Sequence, residues 1–323
     1  MSGTPGKSTS TRCLRKVIYA LAATLIACGH ARASLLAYEP FAFGDPPALG
    51  QYALGDEDAG TNVLGGQNPP IGPTAFYSGA WVQSGGDTQA VKPLPSLAYP
   101  GLTAGVGGIQ QETTQFDCCT FGRTGRPIAG GLGGGSARTI YESFLIDFGS
   151  QGTDAPDQFG FRGHELWDGG IGDDHLAVAL FMNHFSNVTD LSLSVTTASG
   201  STTVPVSGGG LDLATLAGVH LVVMKYQFDP TDPDMVSVYL DPVVPGGEPL
   251  VPAAQISVAT SDLFITHQGA YTQYTFSGAG HVPGAIDEIR WGDDYVDVVP
   301  VPEPSALVLL ASLGACLLWR RQP

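Results

Sequence analysis

This sequence predicts an all-β protein, and three observations predict it. Glycine and proline are abundant, 44 and 24 of 323 residues, while charged residues make up only 14%, a balance that suits many turns and short strands. No segment of residues 34–299 sustains a 3.6-residue apolar period, so no long helix is expected there. From Arg138 onward, runs of β-branched and aromatic residues recur between turn residues with no helical stretch among them, the pattern of a sandwich or jelly roll.

Taken in order, residues 34–72 read as loop, broken by Asp45-Pro46-Pro47 and Asn68-Pro69-Pro70. A first core-facing strand is expected over 76–83. Residues 84–138 read as a loop-rich excursion that closes in Gly130 to Gly135, a run too rich in glycine for regular structure. Thr139 to Phe148 then alternates, with Ile140, Glu142, Phe144, Ile146 and Phe148 on one face and Tyr141, Ser143, Leu145 and Asp147 on the other. A short aromatic strand over 158–162 follows. Residues 176–183 are apolar throughout, as for a strand buried on both faces, and 191–197 alternate Leu, Leu, Val with Ser, Ser, Thr. One helical turn is expected at 211–216. Strands 219–228 and 235–240 flank Asp229-Pro230-Thr231-Asp232-Pro233-Asp234, a hairpin tip, and 285–291 is the closing strand.

The two ends read as addresses. The N-terminus has basic Lys7, Arg12, Arg15 and Lys16, an apolar stretch over 17–28, and Ala31-Arg32-Ala33, so a signal peptide cleaved after Ala33 is expected. Leu25-Ile26-Ala27-Cys28 offers an alternative, lipobox-like processing site. At the other end stand Pro302-Glu303-Pro304, Ser305 as an N-cap, an uncharged run over 306–319, and Arg320-Arg321, which would stay on the cytoplasmic side. Those 14 apolar residues would reach ~21 Å as a helix, short of a ~30 Å hydrocarbon core. The three parts in this order resemble the PEP-CTERM sorting signal of Gram-negative bacteria. That resemblance implies an exosortase-type partner acting near Pro302, Glu303 and Pro304, with Arg320 and Arg321 as the basic stop, a transient or permanent membrane contact through the tail, and delivery to the cell surface or beyond.

The chain thus divides into a signal (1–33), an exported body (34–299) and a sorting tail (300–323). The body keeps 7 basic and 29 acidic residues, a charge near −22. Such a surface repels phosphate backbones, which excludes nucleic-acid binding. Only Cys118 and Cys119 fall within it. Adjacent cysteines in an oxidising compartment can form a vicinal disulfide, pair between molecules or remain thiols, and they lack metal-site spacing.

Within the body, His220 to Phe228 followed by Met235 to Pro242, and the closing Ile286-Asp287-Glu288-Ile289-Arg290-Trp291-Gly292, resemble the central hairpin and last strand of a concanavalin A-like (laminin-G-type) jelly-roll sandwich. That resemblance implies a lectin-like or glucanase-type domain, and so polysaccharide as a partner. A glucanase of the laminarinase type needs two carboxyls about 5–5.5 Å apart on one strand, and no Glu-x-Asp-x-x-Glu is present. Asp287 and Glu288, the nearest acidic pair, are expected on opposite faces by alternation, one exposed and one in a local hydrogen bond. His164-Glu165 near Trp167-Asp168 could line a sugar site, but Trp167 is better read as a loop residue covering the core edge. No Gly-x-Ser-x-Gly frame accompanies the histidines. Calcium, which accepts six to eight oxygens from irregular loops, is the ion the acidic turns suit: Asp173 with Asp174, or Asp293 and Asp294 with Asp297. Asp229, Asp232 and Asp234 form a third group, more simply read as a turn. The function expected is a non-catalytic, glycan-associated or structural surface or matrix protein without an assigned catalytic residue; the alternative is a secreted carbohydrate-active enzyme with an unrecognised site.

Overall fold

The chain divides into two compact units, 1–34 and 35–323. The computed structural model describes residues 35–44, 47–48, 51–53, 64, 66–68, 76–84, 89–102, 107–113, 120–148, 160–185, 188–206, 216–244, 247–275 and 284–299, all in the second unit. The signal, Cys118 and Cys119, residues 211–215 of the helical turn expected at 211–216 and the sorting tail lie outside them.

Seventeen strands are described. Those before the strand-dense half are β1 (Leu35–Glu39), β2 (Phe43–Gly44), β3 (Tyr52–Ala53), β4 (Val82–Ser84), β5 (Gln89–Leu94), β6 (Gly108–Thr113) and β7 (Thr120–Gly133). The remainder are β8 (Arg138–Asp147), β9 (Gly160–Trp167), β10 (Leu176–Phe185), β11 (Val188–Thr197), β12 (Gly200–Pro205), β13 (Val219–Phe228), β14 (Met235–Leu240), β15 (Ala254–Ser257), β16 (Phe264–Thr275) and β17 (Gly284–Gly292). A 3-10 turn (Asp173–His175) precedes β10, and a one-turn helix, α1 (Tyr295–Val298), follows β17.

The first sheet runs β15-β14-β13-β8-β17-β6-β5 and the second β12-β11-β10-β9-β16-β7-β4, with every pairing antiparallel. The chain passes repeatedly from one sheet to the other, as in the expected jelly-roll sandwich. One edge of β17 is shared: Gly284 to Ile286 pair with β6, and Ile289 to Gly292 with β1.

Alternation decides what each face carries. On β8, Ile140, Phe144 and Ile146 enter the core between the sheets with Val222, Met224, Tyr226 and Phe228 of β13 and Leu180, Leu193 and Val195 of the second sheet. Tyr141 and Leu145 point the other way, where α1 covers them. The outer face of the first sheet therefore has its own small apolar layer, built from Leu221, Val223, Tyr239, Tyr295, Val298 and Val299.

Of the strand expected over 76–83, only Val82 and Gln83 lie in β4, after an isolated bridge at Tyr77, and two larger sequence expectations are corrected. Residues 84–138 are not mainly loop, because β5, β6 and the long β7 occupy much of them. The glycine run itself ends β7: Gly133, at φ +107°, pairs with Phe264, and a Cβ there would press into the Leu263 carbonyl oxygen. Glycine serves here as the residue that permits close backbone approach at a left-handed position. Gly133→Val is expected to cost about 2–4 kcal/mol in urea unfolding; a loss under about 0.5 kcal/mol would show that the β7 terminus does not depend on glycine.

The second correction concerns β17. Glu288 adopts φ +57°, and the register with β8 slips between Asp287 and Arg290. This bulge inserts a residue and reverses the phase, so that Ile286, Ile289 and Trp291 all reach the core. Alternation therefore fails at Asp287 and Glu288, and neither is exposed.

Candidate functional site

Three groups of polar side chains could carry function, and each is positioned by a definite register. The first lies between the sheets. Glu142 on β8 faces inward and accepts hydrogen bonds from the Tyr226 hydroxyl at 2.7 Å, while its other oxygen lies 2.9 Å from Nε2 of His164 on β9. Nδ1 of His164 faces the Ala270 carbonyl at 3.3 Å. The imidazole therefore bridges both sheets, between Glu142 of the first and the Ala270 carbonyl of the second. Tyr226 stacks on Trp291, whose indole N–H donates to Gln268 Oε1 at 2.5 Å, as does the Tyr77 hydroxyl. The Arg126 guanidinium lies 4.3 Å from the Tyr77 ring centroid and meets Glu39 at 3.3 Å. Arg126 also donates to Asn68 and to the Gly79 carbonyl, and Glu39 accepts from Tyr52, whose oxygen accepts from Trp81. Burial pushes the Glu39 carboxyl up to about 7, although Tyr52, Arg126 and the Phe41 amide pull it down.

The second group covers the outer face of the second sheet. Alternation on β9 turns Glu165 away from His164, onto a buried ion pair with Arg123 of β7, 2.7 Å between Nε and Oε2. Trp167 is not a loop residue. It ends β9, fully buried, its ring against Gly125 and Gly269, where any Cβ would collide with the indole. Nearby His267 is held below its usual value, by burial first and then by the proximity of His175. The edge hairpin β11–β12 presents a ladder of hydroxyls, in which Thr203 donates to Ser194, and Thr196 to Ser201.

The third group lies on the outer face of the first sheet. Glu248 accepts from Tyr141 at 2.7 Å, from Tyr239 at 2.5 Å and from Lys225 at 2.8 Å. Both tyrosine rings stand edge-on to Tyr295 of α1. Ser143 on β8 donates to the Val298 carbonyl at 2.6 Å, fastening the last turn to the sheet. Ser143→Ala is expected to cost about 1 kcal/mol and to speed amide exchange at residues 295–299 above the rest of the fold; unchanged exchange there would mean that the hydroxyl does not hold the strap. Beside it, Asp241, at φ +48°, accepts from His220 Nδ1 at 2.7 Å and from the Leu221 amide at 3.0 Å. That hydrogen bond raises the imidazole above its ordinary value, against the opposing effect of burial.

The acids singled out in the sequence fall as follows. Asp287 Oδ2 accepts from Ser96 Oγ at 2.8 Å and the Leu97 amide at 2.9 Å, and Oδ1 from the Glu288 amide. Glu288 accepts from Tyr38 at 2.7 Å and Arg290 at 2.6 Å. Burial, with the charge of Glu288, pushes Asp287 up to about 7. Asp174 is exposed at the 3-10 turn, beside Asp173. Asp293 pairs with Arg138 at 3.0 Å, Asp294 is the N-cap of α1, and Asp297 accepts the Asp294 amide at 3.0 Å. Asp229 caps the hairpin tip through Thr231 and Asp232, and Asp234 accepts from the Asp229 and Leu263 amides. Among the described residues, no three His, Cys, Asp or Glu side chains converge to hold a metal ion.

Sequence reading missed Glu39, Arg126, Glu248 and the His220–Asp241 pair. Most of their side-chain partners stand far off in sequence, Tyr52 13 and Arg126 87 positions from Glu39, Asp241 21 from His220 and Tyr141 107 from Glu248, so no local spacing announces them. A polar residue on an otherwise apolar strand, such as Glu142, was the one available signal.

Among solved structures, the chain resembles the endo-β-1,4-glucuronan lyase of Trichoderma reesei at 14% identity, covering 68% of this chain and 92% of that one, with a TM-score of 0.40. It also resembles the T. cruzi calreticulin globular domain (12%, 74% and 94%, 0.41) and the endo-1,3-β-glucanase of Streptomyces sioyaensis (12%, 69% and 98%, 0.32). The fold itself is given by the two antiparallel sheets described above. No curated protein sequence matches this one. No helix among the described residues is long and apolar enough to cross a membrane. Residues 300–322 match the PEP-CTERM protein-sorting motif, so this β-sandwich chain carries, directly after its last described residue, the signal for export that an exosortase recognises.

Proposed function

We propose that the protein is a non-catalytic, glycan-associated or structural component of the cell surface or extracellular matrix, delivered through its C-terminal signal. One observation carries the reading. All seven buried carboxylates among the described residues, Glu39, Glu142, Glu165, Asp234, Asp287, Glu288 and Asp297, are bonded to groups of the protein itself. A retaining or inverting glycosidase needs two carboxyls facing a substrate, whereas these acids tie strands and loops together. What the second sheet turns outward on its edge is the hydroxyl ladder of β11–β12, donors and acceptors without net charge, which suits a neutral polysaccharide.

The purified protein is expected to be retained on extracellular polysaccharide of its source organism and to release no reducing sugar from a panel of β-glucans. The second reading, a carbohydrate-active enzyme, is favoured by Asp287, a carboxyl pushed up to about 7 beside a second acid. Release of sugar that is abolished by Asp287→Asn or Glu288→Gln would establish that reading and overturn the first. For metal we propose no resident calcium, since Asp293 and Asp297 already have partners. Chelator is expected to leave the melting temperature unchanged, and a fall of several degrees would restore calcium to the account.

A further inference from the structure

The last described residues are part of the fold. Tyr295, Val298 and Val299 are buried on the outer face of the first sheet, with Val299 fully so. Between Val299 and the uncharged run at 306 lie only six residues, which span at most about 20 Å even when fully extended. Before processing, this face cannot stand far from whatever the apolar run enters.

Exposed apolar residues gather there. Six large apolar side chains are exposed among the described residues, and four of them, Val243, Leu250, Val251 and Val296, lie on the loop 241–253 and on α1. These two segments are neighbours, because Glu248 of the loop bonds Tyr141 and Tyr239, and both rings pack on Tyr295 of α1. Leu250 is fully exposed, and Val243 and Val251 are 78% exposed. Of the charges in between, Lys225 pairs with Glu248, Arg138 with Asp293 and Asp241 with His220, while exposed Asp294 caps α1. The interfacial zone of a bilayer adds about 5–7 Å on each side of the hydrocarbon, within reach of a face tethered this closely.

We propose that the outer face of the first sheet is a membrane-facing surface, and that Val243, Leu250, Val251 and Val296 rest in the lipid interface while the tail is attached. The consequence is a fixed orientation: the opposite sheet, with its hydroxyl ladder, points away from the bilayer. The inference rests on the tail entering the membrane, as the proposed function requires.

The test uses the full chain in phosphatidylcholine vesicles whose lipid is brominated on the acyl chain near the headgroup. Trp81, Trp167 and Trp291 are buried, so Trp319 in the unaltered chain reports on the tail alone. In a Trp319→Phe background, Leu250→Trp and Val296→Trp place single reporters on the proposed face, and Val82→Trp places one on the edge of the second sheet. Quenching of the first two is expected to exceed that of Val82→Trp by roughly twofold or more, as for residues seated 5–10 Å into the interface. If Trp319 is quenched while positions 250 and 296 are quenched no more than position 82, the orientation is wrong. If Trp319 itself is not quenched, the tail does not enter the bilayer, and the membrane delivery assumed in the proposed function falls with it.

Discussion

Replacing Glu142 by alanine is expected to lower unfolding free energy by about 3–5 kcal/mol and the melting temperature by roughly 10 °C, the largest single effect in this protein. Two buried groups lose their carboxylate partner at once: the Tyr226 hydroxyl, 2.7 Å from one oxygen and left with only the weak acceptor Met224 Sδ at 3.4 Å, and Nε2 of His164, 2.9 Å from the other oxygen. Neither can reach water, since Tyr226 is fully buried and His164 only 1% exposed. The cost is therefore the desolvation of orphaned groups, with a cavity term for the lost side chain. His164→Ala should be severe for the same reason, yet the double variant should fall well short of the sum, because each substitution already breaks the same bridge. Urea unfolding of the four proteins in this cycle measures it. Additive losses would show that Glu142 and His164 act separately, and a loss below about 1 kcal/mol for Glu142→Ala would show that the bridge is not holding the sheets.

The protein is also expected to become less stable as pH rises from about 4.5 to about 7. Glu39 is the main cause. Its carboxyl is pushed up to about 7 in the fold, against an unfolded value near 4.3. The folded chain therefore holds the proton that the unfolded chain has released. Between those two values stability falls with pH, by on the order of 3 kcal/mol for a fully buried acid. Asp287, also pushed up to about 7, acts with the same sign. So does His220, whose raised imidazole contributes stability at low pH that is lost as pH rises through its folded value. Working the other way, Asp229, Asp262 and Glu248 are held below their usual values, so their contribution disappears as pH falls below about 4. The combination places maximum stability between these limits, near pH 4–5. Glu39→Gln isolates the largest component: its stability should be much flatter between pH 4.5 and 7.5 than that of the unaltered protein. An unchanged slope would remove Glu39 from the explanation.

Sequence alone determined the class of fold, several strands of its second half and the sorting signal at its C-terminal end, but it did not announce β12, β15 or β16. Patterns of that kind are local. Alternation over Thr139 to Phe148 is a property of neighbouring side chains, and it correctly assigned both faces of β8. The triplet at Pro302 to Pro304, followed by an apolar run and two arginines, is likewise contiguous, and the match over 300–322 agrees with it. The first half was less legible because its strands lack an apolar code. Gly133 belongs to β7 through backbone pairing with Phe264 of β16, across some 130 residues, and a pairing at that distance leaves no mark on the glycine itself.

Only the tertiary structure decided what the acids do. Asp287 and Glu288 read as a strand pair on opposite faces until a bulge at Glu288 breaks the alternation. Glu165 and His164 read as neighbours until the pleat sends one to Arg123 and the other to Glu142. A carboxylate's role depends on which donor reaches it and whether water can, and both follow from where distant strands meet. Destination could be read from the order of the residues, because a membrane and a sorting enzyme meet the tail as a linear segment. The acids' partners could not, because they are fixed by packing between sheets.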